Sequence, residues 1–267
     1  KVLTMFPRPY NLNNRDDTAQ YRYKFIKTEY IDGVEVYRIR GLVPPKDNSI
    51  LRGIEHFVSA GLIFFRAIFL KDIDHIIVYS PPLPMAVSSI LLSRIKKCQI
   101  ITNIQDLYPQ TIIDVGLLKN RYLIGVFRWM ERVVYQESDY LTVHSKNNKS
   151  YLIQHGADEE KVKVIYNWVD TNAILPQEIE CFENFDFRGK FVVSYAGVFA
   201  VHQGLEIIIM AAKMLESNPS IQFLLVGDGY AKEKLVKQAQ DLKLSNVTFL
   251  PFQPKEKYSK ILACSDV

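Results

Sequence analysis

The chain has 267 residues, 48% of them hydrophobic and 23% charged, with 12 Gly and 12 Pro. This composition excludes disordered, collagen-like and coiled-coil chains, and the length exceeds the roughly 100–150 residues of a common single domain, so two globular domains are expected. The net charge is +4, with 23 Lys/Arg against 18 Asp/Glu in residues 1–170 and 10 against 11 in residues 171–267; that imbalance suits an anionic substrate or a membrane surface but falls short of a nucleic-acid footprint.

In chain order, Lys1–Phe6 reads as a strand rather than a secretory leader. Short β-rich runs then alternate with amphipathic segments of helical length: strands Val34–Arg40, His75–Ser80, Gln99–Gln105, Asp139–Val143 and Lys161–Tyr166, and helices Leu51–Lys71, Met85–Lys97, Asn120–Gln136 and Ser145–Gln154. Ser145 is placed to cap the last helix and Gly156 to stop it. Strand and helix in alternation imply a parallel sheet covered on both faces, which also explains why His75-Ile76-Ile77-Val78-Tyr79 lacks polar alternation. The longest apolar stretch, Phe57 to Leu70, has 14 residues and contains Arg66, whereas a membrane span needs about 20.

The alternation stops once. Between Asn167 and Lys190, Pro176 and the acidic Glu178, Glu180, Glu183 and Asp186 describe a linker. It then resumes with strand Phe191–Ala196, helix Leu205–Glu216, strand Ile221–Val226, helix Lys232–Lys243, strand Asn246–Leu250 and helix Lys255–Cys264, and Ser265-Asp266-Val267 reads as the entry to a further strand. The expected organisation is a first domain over residues 1–172, a linker over 173–189 and a second, incomplete domain over 190–267, with the chain truncated at both ends.

In doubly wound sheets, ligands gather beyond the carboxyl ends of the strands. Two glycine turns fall there: Gly197-Val198-Phe199-Ala200-Val201-His202-Gln203-Gly204, and Gly227-Asp228-Gly229-Tyr230. Each alone reads first as a tight turn needing positive φ; both together in one domain point to backbone amides and helix N-termini approaching a phosphate. Asp106, closing the strand before Leu107-Tyr108-Pro109, either takes a proton or a hydroxyl hydrogen bond from a ligand, or caps its turn. Asp72-Ile73-Asp74 precedes its strand and reads as a polar turn. The histidines at 56, 75, 144, 155 and 202 show no paired-ligand spacing and no G-x-S-x-G elbow is present, so neither a metal site nor a serine hydrolase is expected. Cys98, Cys181 and Cys264 form no C-x-x-C pair, which fits a reducing compartment.

Tyr195-Ala196-Gly197, Gln203-Gly204-Leu205-Glu206, Phe223-Leu224-Leu225-Val226-Gly227-Asp228-Gly229, Val247-Thr248-Phe249-Leu250-Pro251 and Ala263-Cys264-Ser265-Asp266-Val267 resemble the donor domain of retaining glycosyltransferases of family four. Ser80-Pro81-Pro82-Leu83-Pro84, Gln105-Asp106-Leu107-Tyr108-Pro109, Gly116-Leu117-Leu118-Lys119-Asn120 and Ile165-Tyr166-Asn167-Trp168-Val169-Asp170 are similar to its bacterial branch making O-antigen and colanic-acid-type polysaccharides, fucosaminyltransferase-like members included. The resemblance implies an α/β GT-B fold of two Rossmann-like domains, acceptor on the first and nucleotide-sugar donor on the second. It implies retaining transfer to a lipid-linked glycan without metal or cofactor, in the cytoplasm at the inner membrane face, and no nucleic-acid partner. Carried over by position, Gly197, Gln203 and Gly204 would line the donor diphosphate, Gly227 and Gly229 the sugar-nucleotide turn and Phe252 the base, while Asp106 faces the acceptor. Val198 and Gln203 stand where many relatives carry Arg and Lys, so the donor charge must be met by backbone amides or other bases. A two-lobed binding protein without catalysis and a nucleotide-sugar epimerase are the rival readings. Peripheral membrane binding is expected through Arg94, Lys96, Lys97, Arg121, Arg128 and Arg132 of the basic first half.

Overall fold

A computed structural model describes residues 1–7, 24–45, 49–176, 181–182, 185–200 and 203–267. The chain divides into two compact units, Lys1–Asn167 and Trp168–Val267.

In the first unit, β1 (Val2–Met5) runs parallel to β3 (Val34–Ile39), which pairs antiparallel with β2 (Ile26–Ile31). Asp32 and Gly33 join β2 to β3 with φ of 49° and 78°, the two positive values that an Asp-Gly hairpin turn accommodates and that match the twist of the strands. A purely parallel expectation misses this hairpin, although the Asp-Gly signal was there to be read. After α1 (Ser49–Ile68), the main sheet follows: β4 (His75–Ser80), β5 (Gln99–Ile104), β6 (Tyr140–Val143) and β7 (Val162–Val164), parallel and in sequential order. The connections are α2 (Leu83–Lys96) between β4 and β5, the short α3 (Gln110–Asp114) and long α4 (Arg121–Glu137) before β6, and α5 (Lys146–Gln154) after it. Asn120 accepts from the Tyr122 and Leu123 amides and Ser145 from the Asn148 amide, so both helices start where a side chain satisfies open N–H groups. Val78, Ile90, Ile100, Ile104, Val134, Tyr135, Leu141 and Leu152 form the core beneath this sheet. Asp72, in the turn before β4, has φ of 58°, in keeping with its reading as a turn residue.

In the second unit, β10 (Phe191–Val198), β11 (Ile221–Asp228) and β12 (Val247–Leu250) are parallel, in the order β10-β11-β12. The helices α6 (Glu206–Met214), α7 (Lys232–Asp241) and α8 (Lys255–Ala263) follow them in turn. The segment from 173 to 189 is more than a linker: β8 (Cys181–Phe182) and β9 (Phe185–Asp186) pair antiparallel, the Leu175 N–H donates to Ser259 Oγ at 3.3 Å, and Phe187 is buried with Val192, Leu224 and Ile261. Glu178, Glu180 and Glu183 lie outside the described residues. Beyond α8 the chain turns back along the free side of β10, with Asp266 N–H on Val192 O at 2.9 Å and Ser194 N–H on Val267 O at 2.7 Å. Ser265-Asp266-Val267, read from sequence only as the entry to a further strand, therefore lies beside β10, opposite β11.

Candidate active site

Asp106 follows β5 at the carboxyl edge of the first unit's main sheet. Its backbone carbonyl accepts the Tyr108 N–H at 2.9 Å, but its carboxylate is exposed and none of the described residues bonds to it. The cap that a lone Asp before a turn would provide is not formed. The loop is held by other groups: Gln105 N–H donates to Ser80 O at 2.9 Å, and the Tyr108 ring meets Phe127 of α4 edge-on at 5.3 Å. Burial pushes the Tyr108 phenol up.

Sequence reasoning passed over His144. Ile104 and Val143 are the last registered pair of β5 and β6, so the next residues, Gln105 and His144, stand side by side at this edge. The Nδ1 atom of His144 is buried and has no partner among the described residues, while Nε2 lies 3.5 Å from Asn148 Nδ2. Asn148 Nδ2 can only donate, so Nε2 is the acceptor in that contact. Its position directly after a strand was the available signal; the search for paired metal-ligand spacing hid it.

A second group missed from sequence is the pair of half-buried Arg128 and buried Glu131 on α4. Arg128 Nη1 donates to Glu131 Oε2 at 2.8 Å and to the Tyr151 hydroxyl at 2.9 Å, and Nη2 donates to Gln110 Oε1. Burial works against the guanidinium charge, but hydrogen bonds to Glu131 and Tyr151 outweigh it and raise the group's pKa above the ordinary value. Arg128 is thus engaged within the unit, as is Lys96, which donates to Leu70 O at 2.7 Å, whereas Arg94 pairs with Glu137 at the surface. Arg94, Lys97, Arg121 and Arg132 stay exposed.

The four glycines of the two turns separate into two kinds. Gly197 and Gly227 are registered partners on β10 and β11. A Cβ on Gly227 would lie 1.8 Å from Gly197 O, and one on Gly229 would lie 2.5 Å from Phe199 O, with φ of 149° and 150°. These two lack side chains because the Gly197–Phe199 backbone occupies the space, held there by Phe199 N–H on Asp228 O at 2.8 Å and Ala231 N–H on Phe199 O at 2.9 Å. Gly204 differs: its φ is 63° and none of the described residues lies within 4 Å of a Cβ there, so the described surroundings leave room for a ligand. Gln203 is exposed next to it, and Phe252, just past β12, is 56% exposed with its ring open to stacking. Val201 and His202 of this loop lie outside the described residues.

The first turn of α6 already holds an anion. A hydrogen bond from Lys234 at 2.8 Å, supported by the residue's own amide, keeps Glu206 below the usual carboxylate range. A diphosphate at that helix end would meet this carboxylate as well as the open amides. Lys232, on the first turn of α7, donates to Gly227 O at 3.1 Å and sits 3.8 Å from Asp228 Oδ2. The strand order reverses at β10, which has β11 on one side and Asp266-Val267 on the other; the carboxyl end of β10, at Gly197 and Val198, is therefore the switch point where doubly wound sheets bind ligands. A depression of about 580 Å³ in the first unit opens at the opposite, amino ends of its strands, among Gln99, Asp139 and Lys163. Asp139 there accepts the Ile100 N–H at 2.7 Å, a structural bond remote from Asp106.

The family model "Glycosyltransferase Family 4" matches residues 13–173, and "Glycosyl transferases group 1" matches residues 177–267. The chain is 27% identical over 236 residues to the putative colanic acid biosynthesis glycosyl transferase WcaI of Escherichia coli, covering 84% of this chain and 58% of that protein. It is 22% identical over 155 residues to a Campylobacter jejuni N-acetylgalactosaminyltransferase whose name gives a diphospho-undecaprenol-linked saccharide as acceptor, covering 58% of this chain and 41% of that one. Among solved structures, Anabaena HepE in complex with UDP and glucose superposes with a TM-score of 0.60 at 16% identity, over 99% of this chain and 72% of that one. The fold is of the GT-B class.

Proposed function

The chain belongs to glycosyltransferase family 4, and from that premise we propose that the protein transfers a sugar from a nucleoside diphosphate to a hydroxyl of a lipid-linked saccharide, with retention, in the assembly of a cell-surface polysaccharide or glycolipid. The observation that carries this reading is the run of two glycosyltransferase family models end to end along the chain, one on each compact unit. The chain spans 58% of the length of WcaI, and the reading applies to the full-length protein.

On this proposal, the second unit takes the donor at the carboxyl end of β10, where Gly197 admits close backbone approach, Gly204 and Gln203 border the diphosphate and Phe252 stacks on the base. The glycine turn at 227–229 shapes that edge by letting the 197–199 backbone lie against it. Asp106 in the first unit accepts a hydrogen bond from the acceptor hydroxyl and orients it for attack, with His144 one strand over at the same sheet edge. Departure of the diphosphate is stabilised electrostatically and its oxygen can take the acceptor proton, so no metal or cofactor is required in this scheme. HepE was solved with UDP and glucose, which supports UDP-sugars as the first donors to try, and the acceptor named for the Campylobacter relative supports a polyprenyl-linked saccharide.

The same proposal places the protein in the cytoplasm at the membrane face. Among the described residues no helix is long and apolar enough to cross a membrane. The first unit does expose Tyr122, Leu123, Val126 and Trp129 on α4, with Ile54 and Phe57 of α1 also exposed and the Phe57 ring 6.4 Å from Phe127. Arg94, Lys97, Lys119, Arg121 and Arg132 are among the exposed bases of this unit.

The test is release of UDP from UDP-glucose and UDP-N-acetylglucosamine by the full-length protein, with and without a polyprenyl-diphosphate-linked saccharide. Release that requires the acceptor supports transfer. An altered sugar nucleotide formed without acceptor would instead show an epimerase, and tight binding with no turnover would show a binding protein.

A further inference from the structure

The helix nearest Asp106 cannot hold itself. α3 has five residues, Gln110–Asp114, no side-chain cap and no buried residue, whereas isolated helices shorter than about 12 residues are marginal in water. It is nonetheless tightly joined to the Asp106 loop, through Thr111 N–H and Oγ on Leu107 O at 2.9 and 3.0 Å and Ile113 N–H on Pro109 O at 3.1 Å. Whatever fixes α3 therefore fixes Asp106.

Two contacts reach it from α4: the Tyr108–Phe127 ring pair, and the Arg128 guanidinium on Gln110 Oε1. Gln110 is oriented for this bond, because its Nε2 donates to Asp114 Oδ1 at 2.6 Å and leaves Oε1 for the guanidinium. The other end of the planar fork reaches Tyr151 on α5, the helix that begins directly after His144 and Ser145. Glu131 holds Arg128 in place and is itself 3% exposed, with Oε1 accepting from Tyr135 at 3.2 Å and Tyr151 at 3.4 Å. A lysine could neutralise Glu131 but could not span three helices with a rigid fork of donors.

We propose that Arg128 is a positioning residue of the acceptor side: through Gln110 it fixes the loop that presents Asp106, and through Tyr151 it locks that loop to the one carrying His144. The inference rests on the transferase reading for the role of Asp106, whereas the brace itself does not. A charge kept merely to neutralise Glu131 would be indifferent to Gln110.

Arg128→Lys, Gln110→Met and Tyr151→Phe, each alone and each combined with Asp106→Asn, test it in the full-length protein. Gln110→Met leaves the Arg128–Glu131 pair intact and is the informative variant if Arg128→Lys folds poorly. The expected loss in kcat for Gln110→Met is on the order of 10–100-fold, the scale of a misplacement of about 1 Å, with the KM for UDP-N-acetylglucosamine unchanged. That loss should vanish in the Asp106→Asn background, because the brace acts through Asp106. Hydrogen exchange at the amides of residues 107–111 should quicken in Gln110→Met while exchange in β5 stays as in the wild type. Full turnover in Gln110→Met, or a loss that simply adds to that of Asp106→Asn, would overturn the proposal. If the wild type transfers no sugar, the transferase reading fails, and the exchange data still decide the brace: unchanged rates at 107–111 would overturn it.

Discussion

Replacing Gly227 and Gly204 by alanine separates a glycine needed for packing from one that leaves room for a ligand. At Gly227 the added Cβ would fall 1.8 Å from Gly197 O and 3.0 Å from Gly197 C, with Phe199 Cε1 at 3.1 Å. The first two are main-chain atoms of a strand registered against β11, so no rotamer change can relieve the overlap. Overpacking of a tight site costs about 1–3 kcal/mol, and a non-glycine residue at positive φ roughly 1–2 more. Because the obstacle is backbone, a loss of about 4 kcal/mol is expected, a large share of the 5–15 kcal/mol that holds a typical domain folded. At Gly204 only the conformational penalty applies, about 1–2 kcal/mol, since none of the described residues lies within 4 Å. Urea-dependent hydrogen exchange followed in peptides from β10 and β11 reports the second unit separately from the first. Gly227→Ala should lower the stability of those peptides by several-fold more free energy than Gly204→Ala, while calorimetry with UDP should show Gly204→Ala still folded and binding more weakly. A Gly227→Ala protein whose β10 and β11 protection matched the wild type would refute the packing argument.

Asp106→Asn should cut transfer by about 10²–10⁴-fold with melting temperature and UDP affinity unchanged, because the carboxylate has no partner to lose; a drop in melting temperature instead would return Asp106 to a structural role, read by turnover and thermal scans on the same samples. The Glu206–Lys234 pair gives a pH dependence of defined sign. Glu206 is held below its ordinary value of 4.5, chiefly by the Lys234 hydrogen bond; its stabilising share is present above pH 4.5 and lost as pH falls through the lowered value. Lys234→Met should remove that share, about 0.2–1 kcal/mol for an exposed pair, in urea titrations at pH 6, and the difference from the wild type should shrink as pH falls through the lowered value. On vesicles containing anionic lipid, Trp129→Ser or the pair Arg121→Gln and Arg132→Gln should reduce flotation at low salt; recovery equal to the wild type would contradict the membrane proposal.

Most of the parallel architecture could be read in the sequence because buried parallel strands such as His75–Ser80 and Ile221–Val226 are apolar runs bounded by turns, and amphipathic helices fill the gaps between them. The β2–β3 hairpin escaped because Ile26–Ile31 mixes Lys27, Thr28 and Glu29 into a strand with one wet face. α3 escaped because five residues carry no period. Asp106 could be placed by its position after a strand, but whether it capped its turn depended on where its carboxylate pointed. The glycine turns were legible as motifs, yet only the approach of the 197–199 backbone shows that Gly227 and Gly229 answer to packing while Gly204 faces open space. Arg128 shows the converse limit: a basic residue on a helix reads as a surface charge, and its partners Gln110 and Tyr151 are 18 and 23 residues away, beyond any local pattern.

Sugar transfer with retention is tested most directly by the anomeric configuration of the first product. ¹H NMR of the glycosidic anomeric proton, recorded as the full-length protein consumes an α-linked UDP-sugar with a polyprenyl-diphosphate saccharide, should show an α-linkage from the earliest detectable turnover and no signal without acceptor. A β-linked first product would contradict retention, and consumption of UDP-sugar without any new glycosidic signal would contradict transfer itself.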